Sequence, residues 1–248
     1  MECARLNRYG LLSVTGADAR DFLHAQLTND IANLPDDRAA LAGWCTAKGR
    51  LLASFLVIPS REGFLLQVAR DLAPAVTKRL SMFVLRSKVK IADQSGAWAQ
   101  YGIWDRDLRP SGVTWDGDVV TIPVDEGRFL RLGPADRLAL PSSKPEEQWT
   151  LEEIRAGRPL ISAATQDQFV PQMVNFENLG AINFQKGCYP GQEIVARAQY
   201  RGAVKRRLVH VRAPVGTELK PGQEFNGGVV VDSARSESGS EALAVMPV

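Results

Sequence analysis

Lys186-Gly187-Cys188-Tyr189-Pro190-Gly191-Gln192-Glu193 gathers a cation, a thiol, an aromatic ring, an amide and a carboxylate into one short stretch. Pro190-Gly191 suits the two central positions of a type II turn, because proline presets the first φ and glycine accepts the positive second one. Gly187 lets another group come close to the backbone. Gln192, Glu193 and the helix formers Ala196, Arg197 and Ala198 predict a short helix starting near Gly191. Glu193 then falls in its first turn, where the helix dipole favours a carboxylate. Cys188, just upstream, sits near Lys186 and the positive helix end, and both favour thiolate. The competing reading is a small buried hydrophobe. Such a cysteine has no need of Lys, Gln and Glu in a glycine-flanked turn, yet the residues alone leave both readings open.

Outward from this motif, the chain reads as short strands and a few helices. Upstream, Leu6–Val14 predicts a strand and 18–27 a helix with Phe22, Leu23 and Leu27 on one face. Thr28-Asn29-Asp30 ends or recaps that helix. Leu41–Cys45 and 50–58 predict strands joined by a hairpin turn over Thr46–Arg50, with a further strand at 64–68. A helix over 71–84 carries Pro74 in its first turn, and a strand follows at 89–92. Strands at 98–103, 119–123 and 128–132 come next. Pro141–Glu147 predicts a loop, and Thr150 the start of a helix with Glu152-Glu153 in its first turn, stopped at Gly157-Arg158-Pro159. From Ile161 to Gly180 no regular element is evident, and so long an irregular segment is more often functional. Beyond Arg207, strands at 207–212, 229–231 and 242–245 form a small β-module, with 236–240 a polar loop. This order predicts an antiparallel α+β fold.

Composition narrows the function classes. Lys plus Arg number 30 and Asp plus Glu 28, so no overall field drives nucleic-acid or membrane binding. No apolar run approaches the roughly 18–20 residues of a membrane span. Three cysteines, Cys3, Cys45 and Cys188, show no C-x-x-C pattern, and their odd number without a secretory leader predicts the cytoplasm. Their spacing makes no zinc or iron–sulfur cage within one chain, so no metal ligands are expected. His24 and His210 sit in regular amphipathic patterns and read as surface or core residues, not as bases. Nucleotide phosphate loops are absent.

The octapeptide Lys186–Glu193 closely resembles the signature of the YgfZ-type folate-binding proteins, relatives of the glycine cleavage T-protein, an aminomethyltransferase. The flanks agree: Phe169-Val170-Pro171-Gln172, Asn175 through Gly180, Arg197, Arg201-Gly202, Phe22-Leu23-His24-Ala25-Gln26-Leu27-Thr28-Asn29-Asp30, and Lys48-Gly49-Arg50. The resemblance implies an α+β, aminomethyltransferase-like fold: antiparallel sheets with helices around a central channel, plus a short C-terminal β-barrel-like module. Residues 1–206 would be the folate-binding region, as two modules of 1–92 and 93–206, and residues 207–248 the C-terminal module.

The same resemblance implies binding of tetrahydrofolate or a one-carbon derivative, and support of iron–sulfur cluster assembly or repair and, through it, tRNA modification. Cys188 would act as a thiolate, as a nucleophile toward a folate-bound one-carbon unit or as a soft cluster ligand shared with a partner. Lys186 would stabilise that charge or bind the glutamyl tail. Tyr189, Gln192 and Glu193 would shape the site, Asn29 and Asp30 border it, and Arg197 and Arg201 meet anions. Iron–sulfur assembly or client proteins are the implied partners of a monomer that engages neither nucleic acid nor membrane directly. Two departures separate the chain from the T-protein. The strand 48–56 lacks the carboxylate that manages the amine there, and Arg155 replaces the glutamate that grips the pterin. A guanidinium only donates hydrogen bonds, where a pterin's amino and ring N–H groups need an acceptor. Aminomethyltransferase activity is therefore not expected. A folate-dependent methyl or aminomethyl transferase on another amine, and a non-catalytic scaffold for cluster-assembly proteins, remain the alternatives.

Overall fold

A computed structural model describes residues 1–248 except Arg109, Arg201 and Ala203. In chain order the elements are β1 (Glu2–Arg5), β2 (Tyr9–Thr15), α1 (Ala19–Gln26), β3 (Ala40–Cys45), β4 (Leu51–Ser60), β5 (Gly63–Ala69), α2 (Ala73–Ser81), β6 (Lys90–Asp93), β7 (Trp98–Trp104), β8 (Thr114–Asp116), β9 (Val119–Asp125), β10 (Arg128–Pro134), α3 (Glu146–Arg155), a 3-10 turn (Pro171–Val174), α4 (Gln192–Tyr200), β11 (Arg206–Pro214), β12 (Glu224–Phe225), β13 (Gly228–Ser236) and β14 (Gly239–Pro247). The chain divides into two compact units. The first holds Met1–Phe22, Ala32–Ala40 and Leu56–Trp149; the second holds Leu23–Ile31, Leu41–Phe55 and Thr150–Val248.

The first unit contains a five-stranded sheet, β1-β7-β10-β9-β8, and the antiparallel run β4-β5-β2-β6 formed with the second half of β4. Alternate apolar residues of the five-stranded sheet bury one face, where Cys3, Ala99, Tyr101, Ile103, Phe129 and Leu138 form a core cluster. A buried amide pair ties the two sheets: Gln67 Nε2 donates to Gln100 Oε1 at 2.8 Å, and Gln100 Nε2 donates to the Tyr9 carbonyl at 3.1 Å. Most buried side-chain polar groups in folded proteins are paired in this way.

Several elements differ from expectation. The strand expected at Leu6–Val14 is β2, beginning at Tyr9, and β1 precedes it as a partner of β7, with Cys3 opposite Ile103. The predicted loop Pro141–Glu147 ends early, because α3 starts at Glu146 and not at Thr150. Its first-turn acids are thus Glu146 and Glu147, and the Arg8 N–H donates to Glu146 Oε1 at 2.7 Å. Pro145 immediately before this turn carries the fixed φ that suits a helix start. The short β8 was not expected, lying between glycines in a polar stretch.

In the second unit, β3 lies beside the first half of β4, and the C-terminal strands form a half-barrel of four antiparallel strands in the order β11-β14-β13-β12. Ala213, Leu219, Val230 and Ala242 make its core cluster. The polar loop expected over 236–240 is the tight β13–β14 turn, and Ser240 is already in β14. The end of α3 shows why the chain stops there. Gly157 has φ +70°, its N–H donates to the Ile154 carbonyl, and the Arg158 N–H donates to the Glu153 carbonyl. These two bonds are the Schellman pattern that satisfies the last helical carbonyls.

The segment from Ile161 to Gly180 is irregular but well anchored. The Ser54 hydroxyl accepts from the Ile161 N–H, Gln166 Nε2 donates to the Leu52 carbonyl, and Asn175 Nδ2 donates to the Leu208 carbonyl. Backbone groups without a helix or sheet ladder are here satisfied by side chains.

Candidate functional site

Every described residue of the candidate site belongs to the second unit. The Gln192 N–H donates to the Tyr189 carbonyl at 3.2 Å, and Gly191 has φ +80°, so Pro190 and Gly191 are the central residues of a tight turn with the φ a type II turn requires. A Cβ on Gly191 would lie 2.4 Å from the Thr46 carbonyl oxygen and 2.6 Å from Gly49 Cα. The turn is therefore pressed backbone to backbone against the β3–β4 hairpin. That hairpin is closed by Thr46 N–H to the Arg50 carbonyl and Gly49 N–H to the Thr46 carbonyl, both 2.8 Å. From Gly191, α4 starts as the sequence predicts, with Glu193 in its first turn.

Of the three free thiols, Cys3 and Cys45 are buried and Cys188 is exposed. Burial pushes the Cys45 thiol up to about 12, so it stays protonated. Lys186, two residues before the exposed thiol, is itself buried, with 8% of its surface accessible. Its Nζ donates to the Leu27 carbonyl at 2.6 Å and to the His24 carbonyl, and it lies 4.9 Å from the centroid of the Tyr189 ring. These carbonyls close the C-terminal end of α1, where a cation is favoured by the helix dipole and the orphan acceptors. Burial brings the ammonium down to about 8, while the charges of Asp30 and Cys188 pull it back up. Tyr189 is buried, and burial raises its phenol above the ordinary range.

Thr28, Asn29 and Asp30 divide into structural and polar roles. Thr28 is fully buried; its hydroxyl donates to the Ala181 carbonyl and accepts from the Gly43 N–H, both 2.7 Å. Asn29 spends both amide hydrogens on the Leu41 and Gly180 carbonyls, and its Oδ1 accepts from the Asp30 N–H. It is thus an internal tie between the two chain stretches. Asp30 is half-buried, its Oδ1 3.2 Å from His24 Nδ1. His24 Nε2 lies on the other side of the ring, 3.8 Å from where a Gly187 Cβ would be. The structure thus brings His24 to the thiol loop, which its place in an amphipathic helix pattern does not reveal.

The remaining candidates lie further out. Gln192 Nε2 donates to the Lys186 carbonyl at 3.4 Å, tying the helix start to the loop. Glu193 and Arg197 are exposed and pair with each other at 3.2 Å along α4. Arg201 lies outside the described residues. Arg155 turns its guanidinium to the buried Glu241 of β14, which His210 Nε2 also meets at 2.8 Å. The structure thus brings together Lys186, Cys188, Tyr189 and Asp30. It leaves Glu193 and Arg197 on a solvated face.

The Lys186 ammonium feels the charges of both Asp30 and the exposed thiol, and α4 carries a separate, solvated carboxylate–guanidinium pair, Glu193–Arg197. A carboxylate such as that of Asp30 can accept hydrogen bonds from a ligand's N–H groups, and a guanidinium such as that of Arg197 can meet carboxylates. Among the described residues, no helix is long and apolar enough to cross a membrane.

No family model matches the chain. It is 34% identical over 226 residues to tRNA-modifying protein YgfZ of Pectobacterium carotovorum, covering 82% of this chain and 68% of the relative. It is 29% identical over 276 residues to tRNA-modifying protein YgfZ of Escherichia coli O157:H7, covering 97% of this chain and 83% of the relative. Among solved structures, the glycine cleavage system aminomethyltransferase T from Bartonella henselae matches with a TM-score of 0.73 at 17% identity, covering 99% of this chain and 78% of that one. The fold is aminomethyltransferase-like.

Proposed function

The chain belongs to the family of tRNA-modifying proteins YgfZ, and from that premise we propose that it binds tetrahydrofolate or a one-carbon derivative and supports iron–sulfur cluster assembly or repair, through which it acts on tRNA modification. The observation that carries this reading is the exposed Cys188 thiol, held by the Pro190–Gly191 turn beside the buried Lys186 ammonium. A thiolate is the nucleophilic form of cysteine, and a nearby desolvated cation favours it. The bound folate would supply an electrophilic one-carbon unit. The chain's own residues do the rest: Asp30 and Glu193 accept hydrogen bonds from N–H groups of the ligand, Arg197 meets its carboxylates, and Cys188 presents sulfur. Lys186 holds the thiol loop against the end of α1 and places a positive charge near the sulfur.

Aminomethyl transfer of the T-protein kind is not supported. The first half of β4, Leu51–Phe55, bears no carboxylate, and Arg155 is committed to Glu241. Iron–sulfur assembly or client proteins are the partners this reading requires.

Titration calorimetry with tetrahydrofolate tests the reading. One-to-one heat is the expected result, and its absence with folded protein overturns folate binding. In cells, Cys188→Ala should lower the activity of a cluster-dependent tRNA-modifying enzyme; unchanged activity removes the role assigned to the thiol.

A further inference from the structure

We propose that the turn joining α2 to β6, residues 82–88, docks a partner protein that offers an apolar pocket rimmed by carboxylates. This rests on the reading that the chain acts on other proteins, and it names the chemistry of that contact. Met82, Phe83 and Leu85 are 70%, 44% and 90% exposed. Elsewhere among the described residues, large exposed apolar side chains stand apart in sequence. Single ones are ordinary on a protein surface, whereas a contiguous group marks a contact. Around this group lies charge of one sign. Between Asp71 and Asp93 the chain carries Lys78, Arg79, Arg86, Lys88 and Lys90 and no carboxylate, although its net charge is only +2. All of these cations are exposed.

The turn is held in place at its base. The Ser87 N–H donates to the Val84 carbonyl at 2.8 Å, the Lys88 N–H donates to Asp18 Oδ2 at 2.7 Å, and the Lys88 carbonyl accepts from the Asp18 N–H. Leu85 has φ +40°, a conformation that a leucine side chain disfavours. So exposed a leucine gains no packing within the chain to offset that strain, and strain of this kind gathers at binding sites. The composition of the patch selects its occupant. A nucleic acid would use the cations, but its phosphates gain nothing from Met82 and Leu85. A lipid surface binds in proportion to the apolar area buried in it. Helix α2 keeps Ala73, Val76 and Leu80 buried, which leaves the turn alone to insert. A few apolar anchors inside a polar rim are the anatomy of a protein interface, and a rim of cations is complemented by carboxylates opposite.

The test is photocross-linking in cells from p-benzoylphenylalanine placed at position 83 of the full chain, with adducts identified by mass spectrometry. The expected adduct is a protein, cross-linked through a peptide that combines apolar residues with Asp or Glu. Leu85→Asn and Arg86→Glu should each reduce it about fivefold or more. Both variants should also lower the activity of a cluster-dependent tRNA-modifying enzyme. Asparagine suits the positive φ better than leucine, so the urea midpoint of Leu85→Asn should hold or rise, which separates lost docking from lost folding. The absence of an adduct, an adduct that neither variant weakens, unchanged enzyme activity in both variants, or adducts formed with phospholipid or RNA instead would each overturn the proposal. Cross-linking involves neither folate nor the thiol. Unchanged activity in Cys188→Ala with a retained, variant-sensitive cross-link would end the thiol's role and leave docking intact. A cross-link indifferent to both variants, with the tetrahydrofolate heat and the Cys188→Ala effect retained, would end docking alone.

Discussion

Arg155 and Glu241 are joined at two points, Nη2 to Oε1 at 2.5 Å and Nε to Oε2 at 3.2 Å. The carboxylate is 2% exposed and the guanidinium 48%. One residue ends α3 and the other sits in β14, so the pair fastens the C-terminal sheet to that helix within the second unit. The residue that departs from the T-protein pattern has thus acquired a structural partner in this chain.

Replacing Arg155 by Met should therefore destabilise the protein, by about 1–3 kcal/mol, since a buried carboxylate loses its main partner while His210 remains. The Arg155 hydrogen bond, foremost, holds the Glu241 carboxyl below its ordinary value. A depressed carboxyl contributes stability above its unfolded value of about 4.3 and loses it as pH falls through the folded value. Urea midpoints should show the wild type's advantage over Arg155→Met in full above pH 5 and shrinking below pH 4.

The two glycines flanking the thiol should respond in opposite ways. Gly191→Ala places a methyl group 2.4 Å from the Thr46 carbonyl at a positive φ, so a loss of roughly 2 kcal/mol or more is expected. Gly187→Ala meets only the His24 ring edge at an ordinary contact distance and should change the urea midpoint by less than about 0.5 kcal/mol equivalent.

Thiol counting should give one fast group. In the native protein Cys188 should react with a small alkylating reagent while Cys3 and Cys45 stay protected until the chain is unfolded in urea. Mass spectrometry of the peptides decides this, and early labelling of Cys45 would contradict the burial described.

Lys186→Met should remove the bonds to the His24 and Leu27 carbonyls and cost about 1–2 kcal/mol at pH 7. The lysine also carries a pH signature. Its folded value of about 8 lies below the unfolded value of about 10.4, so the unfolded chain binds more protons between them and native stability rises with pH there. The difference between wild type and Lys186→Met should widen by about 2 kcal/mol from pH 8 to pH 10, followed by chemical denaturation.

Much of the local structure can be read from spacing, and the long-range part cannot. The turn at Pro190–Gly191, the start of α4 and the hairpin at Thr46–Arg50 follow from proline and glycine chemistry, which acts over a few residues. Strand β1 escaped because Glu2–Arg5 is short and finds its partner only in β7. The start of α3 was obscured by the polar run before it, although Pro145 is the local signal that could have revealed it. At the site, the thiol and lysine were legible as a motif. The engagement of Lys186 with α1 was not, nor was the presentation of His24 to Gly187. Asn29 illustrates the reverse: its side chain serves the Leu41 and Gly180 carbonyls, a structural use its polar character could not distinguish from ligand binding.

The bond from Lys186 to the end of α1 has a consequence for synthesis. At roughly 5–20 residues per second, the ribosome adds the lysine some 8–30 s after His24. During that interval Asn29 and Thr28 are also without Gly180 and Ala181, and the nascent first half of the site waits for its later half to emerge.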